Sequence, residues 1–134
     1  MISVSIKVIG SMEKIWDYFT NPEHIVHWNF ASDDWCVPWA KNNLQVGGKF
    51  TSRMEAKDGS LGFDFVGVYT EVILHKGYTY ELEDRRKVIV SFEEVDGSVI
   101  IREEFEAEAD NTIERQQNGW QSILENFKKY CERK

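Results

Sequence analysis

The chain has few cysteines and prolines and lacks a long apolar run, and these shortages exclude several classes of protein. Its 134 residues include two cysteines and two prolines. Because the two cysteines lie far apart, a disulfide-rich scaffold is not expected, and a cytoplasmic location is the default expectation. No apolar stretch approaches the ~18 residues of a membrane-spanning helix, and no signal peptide is visible. We therefore expect no membrane span.

Positive charge is also scarce. The sequence contains 16 Lys and Arg residues against 23 Asp and Glu residues, for a formal net charge of −7. A surface with this balance repels the phosphate backbone of DNA and RNA. The basic clusters, at residues 85–87 and at the C-terminal end, are typical of a solvated turn and of a helix terminus. The sequence therefore predicts no nucleic-acid partner.

What the chain does contain is enough apolar and aromatic surface for one folded domain. Hydrophobic residues make up 42% of the sequence and aromatic residues 13%. A chain of this length buries most of its unfolded surface in a single core. We find no internal repeat and no linker, so we expect one domain over residues 1–134.

The hydrophobic periodicity changes twice along the chain. Residues 2–8 alternate as in a half-buried strand, and two short helices follow, after Ser11 and after Asn21-Pro22. From residue 47 the alternation of strands returns five times, with a strong hairpin signal at Asp96-Gly97. A long amphipathic helix then starts near Asn111, which with Glu114 resembles a capping box.

This order predicts an α+β fold. The six strands form a curved antiparallel sheet wrapped around the long C-terminal helix, with the two short helices between strands 1 and 2. Large aromatic residues, including tyrosines that need hydrogen-bond partners, are frequent on the inward strand faces. That composition favours a ligand pocket, which is mostly apolar with a few fixed polar groups. A filled core with tyrosines at its edge is the alternative.

The segment from residue 29 to residue 46 has no clean period, and connections of this length are often functional. Trp35 and Trp39 lie in it and Trp28 precedes it. The segment is either the lip of a pocket or a plug that seals a core. In both cases we expect the three tryptophans to pack toward the helix that carries Gly119 and Trp120.

A metal site is the least supported interpretation of this region. The residues with metal-ligand chemistry are His24, His27, Asp33, Asp34 and Cys36, and their spacing matches no standard zinc motif. The sequence also lacks a nucleophile motif and a phosphate-binding loop. We therefore expect no metal, no cofactor and no catalytic residue.

Two further positions raise specific hypotheses. Gly119 lies inside the long helix, where glycine costs roughly 1 kcal/mol relative to alanine. Either it permits a bend or a close approach of residues 29–46, or the helix packs closely on a strand there. Glu103 lies on the inward face of its strand, so its carboxyl group should be protonated, paired or turned toward a polar pocket. It could orient a ligand or act as an acid or base, or it could pair with a basic residue across the sheet.

Several stretches together resemble the family of heat-shock protein 90 ATPase-activator homologues, within the START-related superfamily. They are "NPEHIVHW", "VGGKF", "GFDFVGVYTEV" and "NGWQSILENFKKY", and the similarity covers essentially the whole chain. The resemblance implies a helix-grip fold with a cavity between sheet and C-terminal helix. Superfamily relatives bind lipids, sterols, polyketides or plant hormones, and a few are cyclases or hydrolases.

The hypothesis that combines these observations is a non-enzymatic domain that binds a small hydrophobic or amphipathic molecule. The predicted binding residues are Trp28, Trp35, Trp39, Phe50, Met54, Phe65, Tyr69, Tyr80, Phe92, Ile101, Glu103, Trp120 and Leu124. One alternative is a co-chaperone-like module with a chaperone partner. Another is a cyclase or hydrolase that uses a cavity carboxylate. Monomer and homodimer are both compatible with the sequence.

Overall fold

The computed structural model describes residues 1–133 as one antiparallel sheet with three helices. The elements are β1 (Ile2–Ile9), α1 (Met12–Thr20), α2 (Pro22–Ile25), β2 (Trp35–Cys36), β3 (Ala40–Asn42), β4 (Lys49–Ala56), β5 (Gly62–Ile73), β6 (Gly77–Leu82), β7 (Lys87–Val95), β8 (Ser98–Phe105) and α3 (Ile113–Arg133). The predicted α+β helix-grip architecture is confirmed. None of the described helices is both long and apolar enough to cross a membrane.

The sheet is curled, and its strand order is β1-β8-β7-β6-β5-β4-β2, with β3 also paired to β4. It holds eight strands rather than the expected six. The two additional strands have two and three residues and lie within residues 29–46. Strands this short do not produce a measurable alternation, which is why the sequence pattern did not predict them.

Local sequence signals account for most of the element ends. The Ser11 side chain accepts a hydrogen bond from the backbone N–H of Lys14, and the Asn21 side chain caps α2 in the same way. Asp96 and Gly97 both have positive φ, as the hairpin signal requires. The predicted capping box of α3 is wrong, since Thr112 caps this helix by accepting from the backbone N–H of Arg115.

Helix α3 lies along β1 and covers the inner face of the sheet. Its Gln121 and Lys128 side chains donate to the backbone carbonyls of Ser5 and Lys7 at 3.0 and 2.8 Å. Leu124, Phe127 and Cys131 of α3 are completely buried. This core fills one end of the space between sheet and helix, and the other end is the candidate site.

Candidate functional site

A cavity of about 230 Å³ lies between the inner face of the sheet, helix α3 and the segment that contains α1, α2 and β3. Nine of its lining residues are aromatic and the others are aliphatic, sulfur-containing or polar. The lining consists of Phe19, Ile25, Trp28, Asn29, Lys41, Asn42, Phe50, Ser52, Met54, Phe63, Phe65, Tyr69, Tyr78, Tyr80, Glu103, Trp120 and Ile123.

Part of the sheet wall depends on a glycine in the middle of β5. Gly67 is paired with Phe50 across β4 and β5, and the Phe50 ring lies over it. A Cβ atom on Gly67 would be 2.4 Å from Cε2 of Phe50 and 3.0 Å from Cδ2 of Tyr80. The Phe50 and Tyr80 rings are 4.8 Å apart in a T-shaped arrangement. Glycine is therefore required here because two aromatic rings occupy the place of its side chain.

The "VGGKF" stretch docks onto the same strand. The backbone N–H of Gly47 donates to the Tyr69 carbonyl at 2.8 Å, and the backbone N–H of Tyr69 donates to the Gly48 carbonyl at 2.9 Å. A Cβ atom on Gly48 would be 2.1 Å from the Asn43 carbonyl oxygen. This close backbone approach holds β3 and β4 beside Tyr69.

Polar groups at one side of the cavity pair with each other. The Tyr69 hydroxyl donates to Oδ1 of Asn42 at 2.6 Å, and Nδ2 of Asn42 donates to the Thr20 carbonyl at 2.7 Å. Nδ2 of Asn29 donates to Oγ of Ser52 at 3.3 Å. These bonds tie the sheet to the helical segment.

Glu103 has a different environment. Glu103 is 8% exposed, and its cross-strand neighbours are Val4 on β1 and Val90 on β7. Burial raises the pKa of its carboxyl group to about 8. Among residues 1–133 it has no hydrogen-bond or ion-pair partner, so the alternative of a basic partner across the sheet is wrong. Arg102, its neighbour in sequence, pairs with Glu93 on the outer face.

The hydroxyl groups of Tyr78 and Tyr80 are also unpaired within the described chain. Both residues are buried, at 8% and 6% exposure, and burial raises the pKa of both phenols well above the ordinary value. Every fully enclosed side-chain nitrogen and oxygen of residues 1–133 has a hydrogen-bond partner. The unpaired oxygens of Glu103, Tyr78 and Tyr80 therefore face the cavity space rather than packed protein.

Eight of the thirteen predicted binding residues lie in the cavity lining. These are Trp28, Phe50, Met54, Phe65, Tyr69, Tyr80, Glu103 and Trp120. Their role in ligand binding stays a prediction.

The remaining five predicted residues lie elsewhere. Ile101 and Leu124 are fully buried in the packed end of the core, and the Phe92 ring packs 4.9 Å from that of Trp16. Trp35 packs at the sheet edge, 6.0 Å from the ring of Phe63. Trp39 is 42% exposed, with the Lys41 ammonium 5.7 Å from its ring.

The three tryptophans consequently have three different roles. Trp28 meets the expectation, since its ring packs 4.9 Å from that of Phe127 on α3 and its Nε1–H donates to the Tyr18 carbonyl. Trp35 lies in β2 and Trp39 directly precedes β3, so both follow the β4 edge of the sheet rather than α3. The segment is therefore one wall of the cavity and part of the sheet.

Two of the explanations for Gly119 are wrong, and a bend of the helix at this residue stays a prediction. A Cβ atom added there meets nothing within 4 Å, so neither a close approach of residues 29–46 nor tight packing on a strand requires glycine. The adjacent Trp120 does line the cavity, with its ring stacked 4.0 Å from that of Phe105.

The proposed metal ligands are not brought together. Within residues 1–133, no three His, Cys, Asp or Glu side chains are placed to hold a metal ion. Nδ1 of His24 instead lies 2.6 Å from the Tyr130 hydroxyl, and its ring stacks 3.9 Å from that of Tyr18.

Sequence reasoning missed part of the lining. Ser52, Phe63 and Tyr78 follow the same alternation as Phe50, Phe65 and Tyr80 on their strands, so the sequence pattern could have identified them. Ile123 follows Trp120 by nearly one helical turn. Asn29, Lys41 and Asn42 carried no comparable signal, because they come from the segment without a period.

Comparisons with known proteins agree with this architecture. The family model for "Activator of Hsp90 ATPase homolog 1-like protein" matches residues 10–132. The solution structure of the AHSA1-like protein from Aeromonas hydrophila is 40% identical, with a TM-score of 0.89 over 98% of this chain and 93% of that chain. A solution structure from Cytophaga hutchinsonii is 45% identical, with a TM-score of 0.86 over 98% and 92%.

A crystal structure from Nitrosomonas europaea shares 14% identity and a TM-score of 0.79 over 98% of this chain and 95% of that chain, which shows the common fold alone. No curated protein matches this chain. The family match and the two relatives above 30% identity lead to one conclusion: the chain belongs to the Activator of Hsp90 ATPase homolog 1-like family.

Proposed function

We propose that this domain binds a small, mainly apolar molecule in the cavity between the sheet and helix α3, without chemical change. The observation that carries this proposal is an aromatic-lined space of about 230 Å³ in a chain whose other core residues are closely packed. Protein interiors normally contain few voids larger than a water molecule. The cavity is far larger than such a void and approaches the ~300–1,000 Å³ of ligand pockets.

The size of the cavity limits the ligand. At ~30 Å³ for each water-sized group, the enclosed volume accommodates roughly eight non-hydrogen atoms. Phe63 and Lys41 at its mouth are exposed, Phe63 at 49%. A longer ligand therefore places its apolar end or ring inside and its remaining atoms at the mouth.

Native mass spectrometry of protein purified from its own host tests this proposal. We expect an additional mass that is retained under gentle ionisation and lost on denaturation. Met54→Trp, which fills the cavity, should abolish the additional mass. Val68→Trp adds an indole to a position that is 42% exposed on the opposite face of β5, and it should leave the additional mass unchanged. Equal occupancy in both variants would place the molecule elsewhere and contradict the proposal.

A chaperone partner and an enzyme activity are the two alternatives to this proposal. The family description refers to an Hsp90 ATPase activator, and for this chain an interaction with a chaperone stays an alternative hypothesis. The enzyme alternative depends on Glu103 as the acid or base. Loss of a pH-dependent activity in Glu103→Gln would be needed to support it.

A further inference from the structure

One buried group of the cavity lining is a carboxylic acid without a basic partner. Glu103 is buried, and its carboxyl oxygens lack a hydrogen-bond or ion-pair partner within residues 1–133. The one basic residue of the lining is Lys41, which is exposed and whose ammonium lies against the Trp39 ring. A buried ionisable group normally has its partner within the protein. Here the partner is missing from the described protein, and the open side of the group faces the cavity.

Two phenol groups share this end of the cavity with Glu103. Glu103 pairs with Val90, and Val90 pairs with Tyr78, so the three residues form one row across β8, β7 and β6. At ~4.8 Å between strands, Glu103 and Tyr78 stand roughly 10 Å apart at the backbone, separated by the short side chain of Val90. The charge of Glu103 acts on both Tyr78 and Tyr80. Glu103 and Tyr78 therefore flank Val90 on the inner face of the sheet, and Tyr80 lies two residues along β6 on the same face.

The walls around this polar end also favour a cation. The Tyr78 and Tyr80 rings lie 6.2 Å apart at an interplanar angle of 27°, and the Tyr69 ring is edge-on to both. The faces of aromatic rings carry partial negative charge and attract ammonium groups. The formal net charge of −7 acts in the same direction on a diffusing cation.

We propose that the ligand of this cavity is an amphipathic amine, whose ammonium group is held by Glu103 with Tyr78 and Tyr80 while its apolar part fills the aromatic end near Phe50 and Phe65. This assignment rests on the proposed function and narrows it to one class of molecule. A neutral alcohol could also bond to the Tyr78 and Tyr80 hydroxyls, but only an ammonium supplies the positive charge that an ionised Glu103 lacks in this cavity.

The titration of Glu103 gives the site a characteristic pH dependence. The titratable groups that share the cavity with Glu103 are the phenols of Tyr69, Tyr78 and Tyr80 and the ammonium of Lys41. The residues that β1, β7 and α3 place around Glu103 and the cavity carry no charge: they are Val4, Val90, Trp120 and Ile123. The phenols stay neutral because burial raises their pKa values. An alkylammonium has a pKa near the ~10.4 of lysine and stays charged below that pH, so the pH dependence of its binding follows the ionisation of Glu103.

The test compares three probes with the same seven-carbon chain: heptylammonium, 1-heptanol and heptanoate. Binding is followed by calorimetry and by the fluorescence of Trp28 and Trp120, which line the cavity. At pH 8 to 9 we expect heptylammonium to bind at least tenfold more tightly than 1-heptanol, and heptanoate to bind most weakly. Below pH 8 the affinity for heptylammonium should fall about tenfold for each pH unit, while the affinity for 1-heptanol stays constant.

Two variants that each remove one carboxylate show whether Glu103 itself is responsible for the preference for the amine. Glu103→Gln should reduce heptylammonium affinity at least tenfold and leave 1-heptanol binding intact, which also shows that the cavity is folded. Glu104→Gln, at the neighbouring exposed position, should change neither affinity by more than about twofold. Equal binding of amine and alcohol, or an unchanged amine affinity in Glu103→Gln, would overturn the amine assignment and leave the proposed function standing. If none of the three probes binds, the proposed function itself fails.

Discussion

The ring of Phe50 occupies the position that the side chain of residue 67 would otherwise take: a Cβ atom on Gly67 would stand 2.4 Å from Cε2 of Phe50. This contact places an aromatic ring of the cavity lining directly over the backbone of β5. The shape of the cavity thus depends on a residue without a side chain, on a strand where glycine would otherwise weaken the sheet.

Gly67→Ala tests this dependence. The new methyl group must displace Phe50 toward the cavity, so we expect a loss of about 1–3 kcal/mol in the free energy of unfolding. Ligand affinity should fall as well, because the displaced ring takes up cavity volume. Chemical denaturation and probe titration measure the two effects. Unchanged values of both would contradict the packing described for Phe50.

Gly119→Ala is the matched variant with the opposite expectation. The added methyl group meets nothing within 4 Å, and alanine is the better helix former. We expect the free energy of unfolding to rise by about 0.5–1 kcal/mol, with ligand binding unchanged. A destabilised variant would indicate that the glycine has a structural purpose in α3 after all.

The pH dependence of stability should report the burial of Glu103. Its pKa rises from the ordinary value of 4.5 to about 8 on folding, so the folded state retains a proton that the unfolded state releases between these values. Stability therefore falls as pH rises from about 4.5 to 8 and levels off above 8. Each unit of pKa shift corresponds to ~1.4 kcal/mol, so the total effect reaches a few kcal/mol.

Glu103→Gln removes this titration. We expect its free energy of unfolding to change less between pH 5 and pH 9 than that of the unaltered protein, and to be higher at pH 9. Urea denaturation at a series of pH values measures both, with Glu104→Gln as the control that leaves the buried carboxyl group in place. Parallel pH profiles for all three proteins would show that the pKa of Glu103 is not raised in the folded state.

The hydrogen bond between Tyr69 and Asn42 should stabilise the wall formed by β3. Tyr69→Phe removes the donor and leaves Oδ1 of Asn42 without its partner. We expect a loss of about 1–2 kcal/mol in the free energy of unfolding. The expected site of loosening is β3, which faster hydrogen exchange at residues 40–42 would reveal. Uniform changes in exchange over the whole sheet would argue against this local role.

The sequence was sufficient to predict the parts of the cavity that regular strands create. Alternation with a period of two assigned Phe50, Tyr80 and Glu103 to inward faces, because every second side chain of a strand points to the same side. It also placed Ile101 on that face correctly. It did not reveal that Ile101 is completely buried while Glu103 borders the cavity, because that difference depends on how the helices pack on the sheet.

The helical segment and its continuation were less predictable. Asn42 and Lys41 reach the cavity from a three-residue strand whose pairing with β4 depends on tertiary contacts. Trp39 turns outward because it precedes that strand at the sheet edge, and composition alone suggested the reverse. The missing partner of Glu103 was also invisible in the sequence, because many charged residues were available as potential neighbours.

The most direct test of ligand binding locates a probe by nuclear magnetic resonance. Heptylammonium at pH 8.5 is added to the labelled protein, and nuclear Overhauser effects from its methylene protons are assigned. We expect contacts to the rings of Phe50, Tyr80 and Trp120, with the amine end nearest to Glu103. Contacts confined to the outer sheet face, around Val68 and Ile89, or no contacts at all, would contradict it.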